Sequence, residues 1–190
     1  MTYRPRTSIA AFKRGRRRTL SLIRVRGRPG RRSDAILLAG ALARAAVLGH
    51  AGIRANKREG DGATPRGRFR LVRLWWRADR LPRPRSLLAT RRIESALAWC
   101  EDPADRRYNR PIRLPARGSG DRLWRADPLY DLLIELDHNV RPRIAGRGSA
   151  IFVHIARPGL RPTAGCIALG IPALRRLLTR IAARTAIVIE

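Results

Sequence analysis

The apolar residues of this chain come in short runs, and glycine, proline or arginine ends almost every one. No run reaches the roughly 20 residues that a membrane-spanning helix requires. Residues 20–25, 69–75, 129–136, 149–155 and 185–189 are rich in β-branched, aromatic or leucine side chains and read as strands. Residues 171–178 instead carry apolar positions at helical spacing, with Pro172 suited to a helix start. Between them, 27–33 reads as a Gly/Pro/Arg turn, 60–67 as a Gly/Pro-rich loop and 81–85 as an irregular connection. Residues 99–115, with Asp102-Pro103, Asn109 and Pro111, read as one long loop of the kind that often forms a binding rim. Residues 35–48 carry many alanines, which favour helix.

The stretch Gly148-Ser149-Ala150-Ile151-Phe152-Val153-His154 ends one apolar run with a histidine. Twelve positions on, Cys166 follows Gly165 and opens the next run. On a strand, Phe152 and His154 share one face, while Ile151, Val153 and Ile155 share the other. Arg157-Pro158-Gly159 and Arg161-Pro162 then break the strand and form a loop that can return the thiol to the imidazole. Only the thiolate attacks well, and a neighbouring imidazole can accept its proton. Gly165 leaves space for a substrate carbonyl, and the N–H groups of Gly165 and Cys166 are candidate oxyanion donors. Thr163 can donate a hydrogen bond to substrate or shape the turn. From residue types alone, an inert buried cysteine and a hydrogen-bonded strand-end histidine are the favoured reading.

Context separates these readings. Thr163-Ala164-Gly165-Cys166-Ile167, after a strand ending in His154, resembles the active-site signature of the YkuD-type L,D-transpeptidases: histidine, loop, then Ser/Thr-x-Gly-Cys and an apolar residue. Upstream, Lys57 followed by Thr64-Pro65-Arg66-Gly67-Arg68-Phe69 resembles the stretch those domains carry near their start. The resemblance spans about residues 33–190 and is closest to a single-domain branch. It implies a mostly β domain, an L,D-transpeptidase-like β-sandwich with a short C-terminal helix and long loops, and a pair of short strands over 35–48. It also implies Cys166 as nucleophile, His154 as proton acceptor and donor, and Gly165 and Thr163 as the matching motif positions. The implied substrate is a peptidoglycan stem peptide, attacked to give a thioester and resolved by an amine into a cross-link, or by water in a carboxypeptidase. Two departures bear on substrate and acceptor choice. The His-to-Cys loop is short, and Ala168 stands where many members carry arginine; Arg157 or Arg161 can supply that charge from the loop.

The formal charge of +28 invites a polyanion partner. Almost all of it is arginine, with Lys13 and Lys57 the only lysines, and it is spread along the chain. That distribution suits an anionic envelope polymer better than specific nucleic-acid recognition. A non-catalytic basic module is the alternative from another class, and an L,D-carboxypeptidase or amidase the alternative on the same scaffold. The domain reading is a basic arm over 1–18 and one catalytic domain over 19–190. Cys100 reads as a structural thiol, because two cysteines make no disulfide framework. No metal-binding motif is present, and no cofactor is implied. His138 reads as a solvated turn residue, His50 lies in no motif, and Trp75, Trp76, Tyr108 and Trp124 read as groove-lining or core aromatics. The family implies a periplasmic or envelope location. The chain shows no clear signal-peptide layout, so a cytoplasmic location stays open.

Overall fold

The computed structural model describes residues 19–115 and 120–190; the basic arm expected over 1–18 lies outside the described residues. The fold is mostly β. Its strands are β1 (Leu22–Arg28), β2 (Arg31–Ala39), β3 (Leu42–Val47), β4 (Ile53–Arg54), β5 (Thr64–Pro65), β6 (Gly67–Trp76), β7 (Thr90–Arg92), β8 (Leu97–Cys100), β9 (Pro111–Arg113), β10 (Gly120–Arg122), β11 (Leu132–Leu136), β12 (Phe152–Ile155), β13 (Ile167–Leu169) and β14 (Ala186–Ile189). The α-helix among the described residues is α1 (Ile171–Leu178).

The main sheet runs β11-β12-β13-β3-β2-β1-β14-β6-β7, and β6 also pairs with β11. The length of β6 permits this: its first residues pair with β14 and its later ones with β11. The sheet therefore closes on itself, which removes most exposed strand edges. The enclosed core holds Ile23, Val25, Leu37, Leu74, Ile134, Val153 and Ile187, together with Ala173, Leu174, Leu177 and Leu178 of α1. Arg175 and Arg176 occupy the solvent side of that helix, as the apolar spacing predicts.

Residues 35–48 form most of the β2–β3 hairpin, turning at Gly40 with φ +62°. Alternating burial of Ala35, Leu37 and Ala39 overrides the helical preference of the alanines. The turn read over 27–33 is narrower, because β1 runs to Arg28 and β2 starts at Arg31. The long loop read over 99–115 holds over 101–110, but Trp99 and Cys100 belong to β8 and residues 111–113 to β9. With β10 these strands form a three-stranded antiparallel sheet, β10-β8-β9, with Trp99 opposite both Pro111 and Asp121. Pro111 is tolerated because β9 is an edge strand.

β12 also starts later than the apolar run suggests, at Phe152, because Ala150 adopts φ +53° and turns the chain before the strand begins. Beyond that turn the two-face reading holds. Ile151, Val153 and Ile155 enter the main core, whereas Phe152 packs outside it with Trp75, Trp99, Leu123, Leu133 and Cys166. Phe152 is fully buried, and the Trp99 and Tyr130 rings meet it edge-on at 5.0 and 6.2 Å. Phe152→Ala is expected to cost about 3–5 kcal/mol in a denaturant titration, the range for deleting a buried aromatic side chain.

Candidate active site

Parallel pairing of β12 with β13 sets His154 opposite Ala168 and Val153 opposite Ile167. Cys166 lies one residue before β13 and two before Ala168, so it follows the same alternation onto the His154 side of the sheet. Both side chains line a cavity of about 570 Å³, with Thr163, Gly165 and Ala168 also on its wall. Arg157 and Arg161 of the connecting loop line it too, as does Arg125.

The loop returns to the sheet by a bridge between Gly49 and Thr163 and by backbone bonds in both directions, His50 N to Thr163 O and Thr163 N to Leu48 O. The upstream motif packs beneath it. Thr64 is fully buried and its hydroxyl accepts from Gly49 N at 2.9 Å. A Cβ on Gly165, at φ +149°, would stand 2.9 Å from Ala63 O, so glycine is required there. Lys57 is 5% exposed; its ammonium donates to Asp61 and to Arg58 O, both at 2.6 Å, and it reaches the cavity wall. Burial alone would raise the Asp61 carboxyl, but Lys57 and the N–H groups of Arg58 and Ala63 outweigh it and hold it below its ordinary range. The two sequence motifs are thus one construction.

Thr163 is a local organiser. Its Oγ1 donates to Cys166 O at 2.6 Å and accepts from Gly165 N at 3.1 Å. The Gly165 N–H is therefore engaged by Thr163 in this structure. The Cys166 thiol donates to Ala150 O at 3.1 Å and not to the imidazole. His154 Nδ1 lies 2.8 Å from Ile155 O. A carbonyl can only accept, so Nδ1 carries the proton and Nε2 presents a lone pair. The Tyr130 ring meets the imidazole edge-on at 5.3 Å, and its hydroxyl donates to Asp121 at 2.7 Å.

Burial pulls His154 down to about 4, with Arg125 and Arg157 adding to the effect. Burial also pushes the Cys166 thiol up to about 12. Both shifts favour the uncharged thiol and imidazole over a resting thiolate–imidazolium pair.

The charges around the pair are divided. Arg125, Arg157 and Arg161 stand against Glu59, Glu101 and Asp121. Arg125 is held by Asp127 at 2.7 and 2.8 Å, and its loop is clasped by Arg77, which donates to Arg125 O and stacks 3.7 Å over Trp124. Glu59 accepts from Tyr108 Oη. Glu101 has no hydrogen-bond or ion-pair partner among the described residues, and burial, Asp121 and Glu59 push its carboxyl up to about 7.

Glu101, Asp121 and Arg125 had no motif to reveal them, and the β8–β10 pairing and the turn after β10 bring them in; Glu59 lies within the upstream stretch that begins at Lys57. Trp75, Trp76, Tyr108 and Trp124 are absent from the cavity wall; Tyr130 is the aromatic residue there. His50 lines the cavity despite lying in no motif. His138 is half-buried rather than freely solvated: it contacts Phe69 edge-on, its Nε2 lies 3.0 Å from Arg147 O, and burial lowers its pKa. Cys100 is a buried free thiol. No helix among the described residues is long and apolar enough to cross a membrane.

A family model described as the L,D-transpeptidase catalytic domain, YkuD, matches residues 26–189. No curated protein and no solved structure matches the chain.

The raised thiol has a direct consequence. Its thiolate fraction grows about tenfold per pH unit through neutrality. Alkylation of Cys166 by iodoacetamide, followed by peptide mapping to separate it from Cys100, is expected to run at least ~100-fold slower at pH 7.5 than for an exposed cysteine. The rate should still be rising at pH 10; a plateau by pH 8 would contradict the buried neutral thiol.

Proposed function

Because the chain belongs to the L,D-transpeptidase catalytic domain family, we propose that it is a cysteine-dependent acyltransferase that cross-links peptidoglycan stem peptides through a thioester. The observation that carries this reading is the placement of Cys166 and His154 on the wall of one cavity, with the His154 tautomer fixed by Ile155 O so that Nε2 is the base. On this reading residues 19–190 are the catalytic domain, and its substrate places it at the cell envelope.

The chemistry starts from neutral partners. The substrate carbonyl enters beside Gly165. As the sulfur–carbon bond forms, the thiol proton passes to Nε2, so charge is created only when the carbonyl is there to receive it. The oxyanion is assigned to the Cys166 N–H, since Gly165 N–H is already committed to Thr163. The imidazolium protonates the leaving amine, the carbon–nitrogen bond breaks, and a thioester remains. An acceptor amine then gives its proton to Nε2 as it attacks. Collapse of that second adduct forms the new amide and restores the thiol.

Among the mixed charges of the cavity wall, Glu101 offers an acceptor amine a partner. Glu101 is half-buried and has no hydrogen-bond or ion-pair partner among the described residues, and an ammonium from the substrate would favour its ionised form. Arg157 and Arg161 stand on the cavity wall, where a substrate carboxylate would find the charge that Ala168 does not supply.

Incubation with disaccharide-tetrapeptide fragments and mass spectrometry of the products tests the assignment. Wild type is expected to give cross-linked dimers and Cys166→Ala none; tripeptides alone would instead establish the hydrolase. Glu101→Gln is expected to raise the KM for the acceptor about 10-fold with kcat little changed, the scale of one charge-assisted hydrogen bond. An unchanged acceptor KM would remove Glu101 from this role.

A further inference from the structure

Asn109 lies in the connection between β8 and β9, outside both sequence motifs and away from the cavity wall. It is 5% exposed and adopts φ +54°. Its side-chain amide is fully used. Oδ1 accepts from Trp99 Nε1 at 2.9 Å and from Ala150 N at 3.1 Å. Nδ2 donates to His138 O at 3.0 Å and to Asn139 O at 2.9 Å. One side chain therefore joins the small sheet, the 138–139 turn and the segment leading into β12.

The bond to Ala150 matters most. Ala150 holds φ +53°, a left-handed conformation that costs a non-glycine residue energy and persists only when its surroundings impose it. In that conformation its carbonyl is the acceptor for the Cys166 thiol. The Phe152 N–H, two residues on, also faces the sulfur and favours the thiolate. The sulfur is thus cradled by a short segment whose N–H is anchored by Asn109.

We propose that Asn109 is a positioning residue: by holding Ala150 in its left-handed conformation it aims the Ala150 carbonyl at the Cys166 thiol and sets where the nucleophile rests. The consequence for turnover rests on the acyltransferase reading above; the consequence for the thiol does not.

The first variant is Asn109→Gly, which tolerates the positive φ and deletes only the amide. With Ala150 released, the thiol loses the acceptor that stabilises its protonated form. The pH at which Cys166 alkylation reaches half its maximum is expected to fall by about one pH unit. Glu101, Asp121, Lys57, Tyr130 and His154, the titratable groups that act on or border the thiol, are unaltered in the variant. The kcat for transpeptidation is expected to fall at least ~10-fold with KM little changed, as misplacement of a reacting group predicts.

Asn109→Asp keeps both acceptor bonds, and its second oxygen, set against the carbonyls of His138 and Asn139, must carry a proton to donate to one of them. It is expected to restore part of kcat and to bring the alkylation midpoint back toward the wild-type value. Where Asn109→Gly does not fold, Asn109→Ser, which shortens the side chain and removes the second donor, carries the same two readings. A wild-type midpoint in the glycine or serine variant overturns the proposal, and so does an equal loss in all variants. A shifted midpoint in a protein that makes no cross-links would leave the positioning role standing and defeat the acyltransferase reading instead.

Discussion

The site depends on one strand pairing, the parallel alignment of β12 with β13. An antiparallel neighbour could be reached by a tight turn, but a parallel one requires a crossover. Here the crossover is the loop from Ala156 to Cys166, which places Arg157 and Arg161 on the cavity wall and returns through the Thr163 turn. Alternation along the two strands puts Phe152, His154 and Ala168 on one side with Cys166, and gives the other side to the core. A register slip of one residue would bury the imidazole in the barrel and turn Val153 toward the thiol. The closed sheet resists that slip, because β12 is paired on both edges, by β11 and by β13.

The electrostatic state of the site follows from its burial. His154 and Cys166 are 6% and 9% exposed, and low polarity penalises the charged form of each. The charged groups of the cavity wall are of both signs, with Arg125 lying between Asp127 and Asp121. This suits an acyl transfer in which a proton moves only while the sulfur–carbon bond forms. It also leaves Tyr130 with a physical role, since its ring covers the imidazole while its hydroxyl is satisfied by Asp121.

Much of this was legible in the chain. The alternation around Phe152 and His154 and the helix over 171–178 follow from side-chain periodicity, which local sequence carries directly. The spatial union of the Lys57–Phe69 stretch with the Gly165-Cys166 turn did not: it is made by Gly49 on Thr64 and by Gly165 against Ala63, contacts that are long-range. Within the loop read over 99–115, Asp102-Pro103 and Asn109 do mark turns, but the strand ends at Trp99-Cys100 and 111–113 were missed because the three-stranded pairing that makes them is non-local. For the same reason Glu101, Asp121 and Arg125 had no visible connection to the cysteine. The alanines of 35–48 show the converse, a local preference defeated by a hairpin whose first strand buries every second residue from Ala35 to Ala39.

The most direct measurement of the central claim is the intact mass of the protein after brief reaction with a tetrapeptide donor in the absence of any acceptor amine, quenched in acid. The account predicts a single adduct with the mass of the donor's acyl portion, mapped by digestion to Cys166 and discharged on adding an amine. No adduct, an adduct elsewhere, or the same adduct on Cys166→Ala would contradict it.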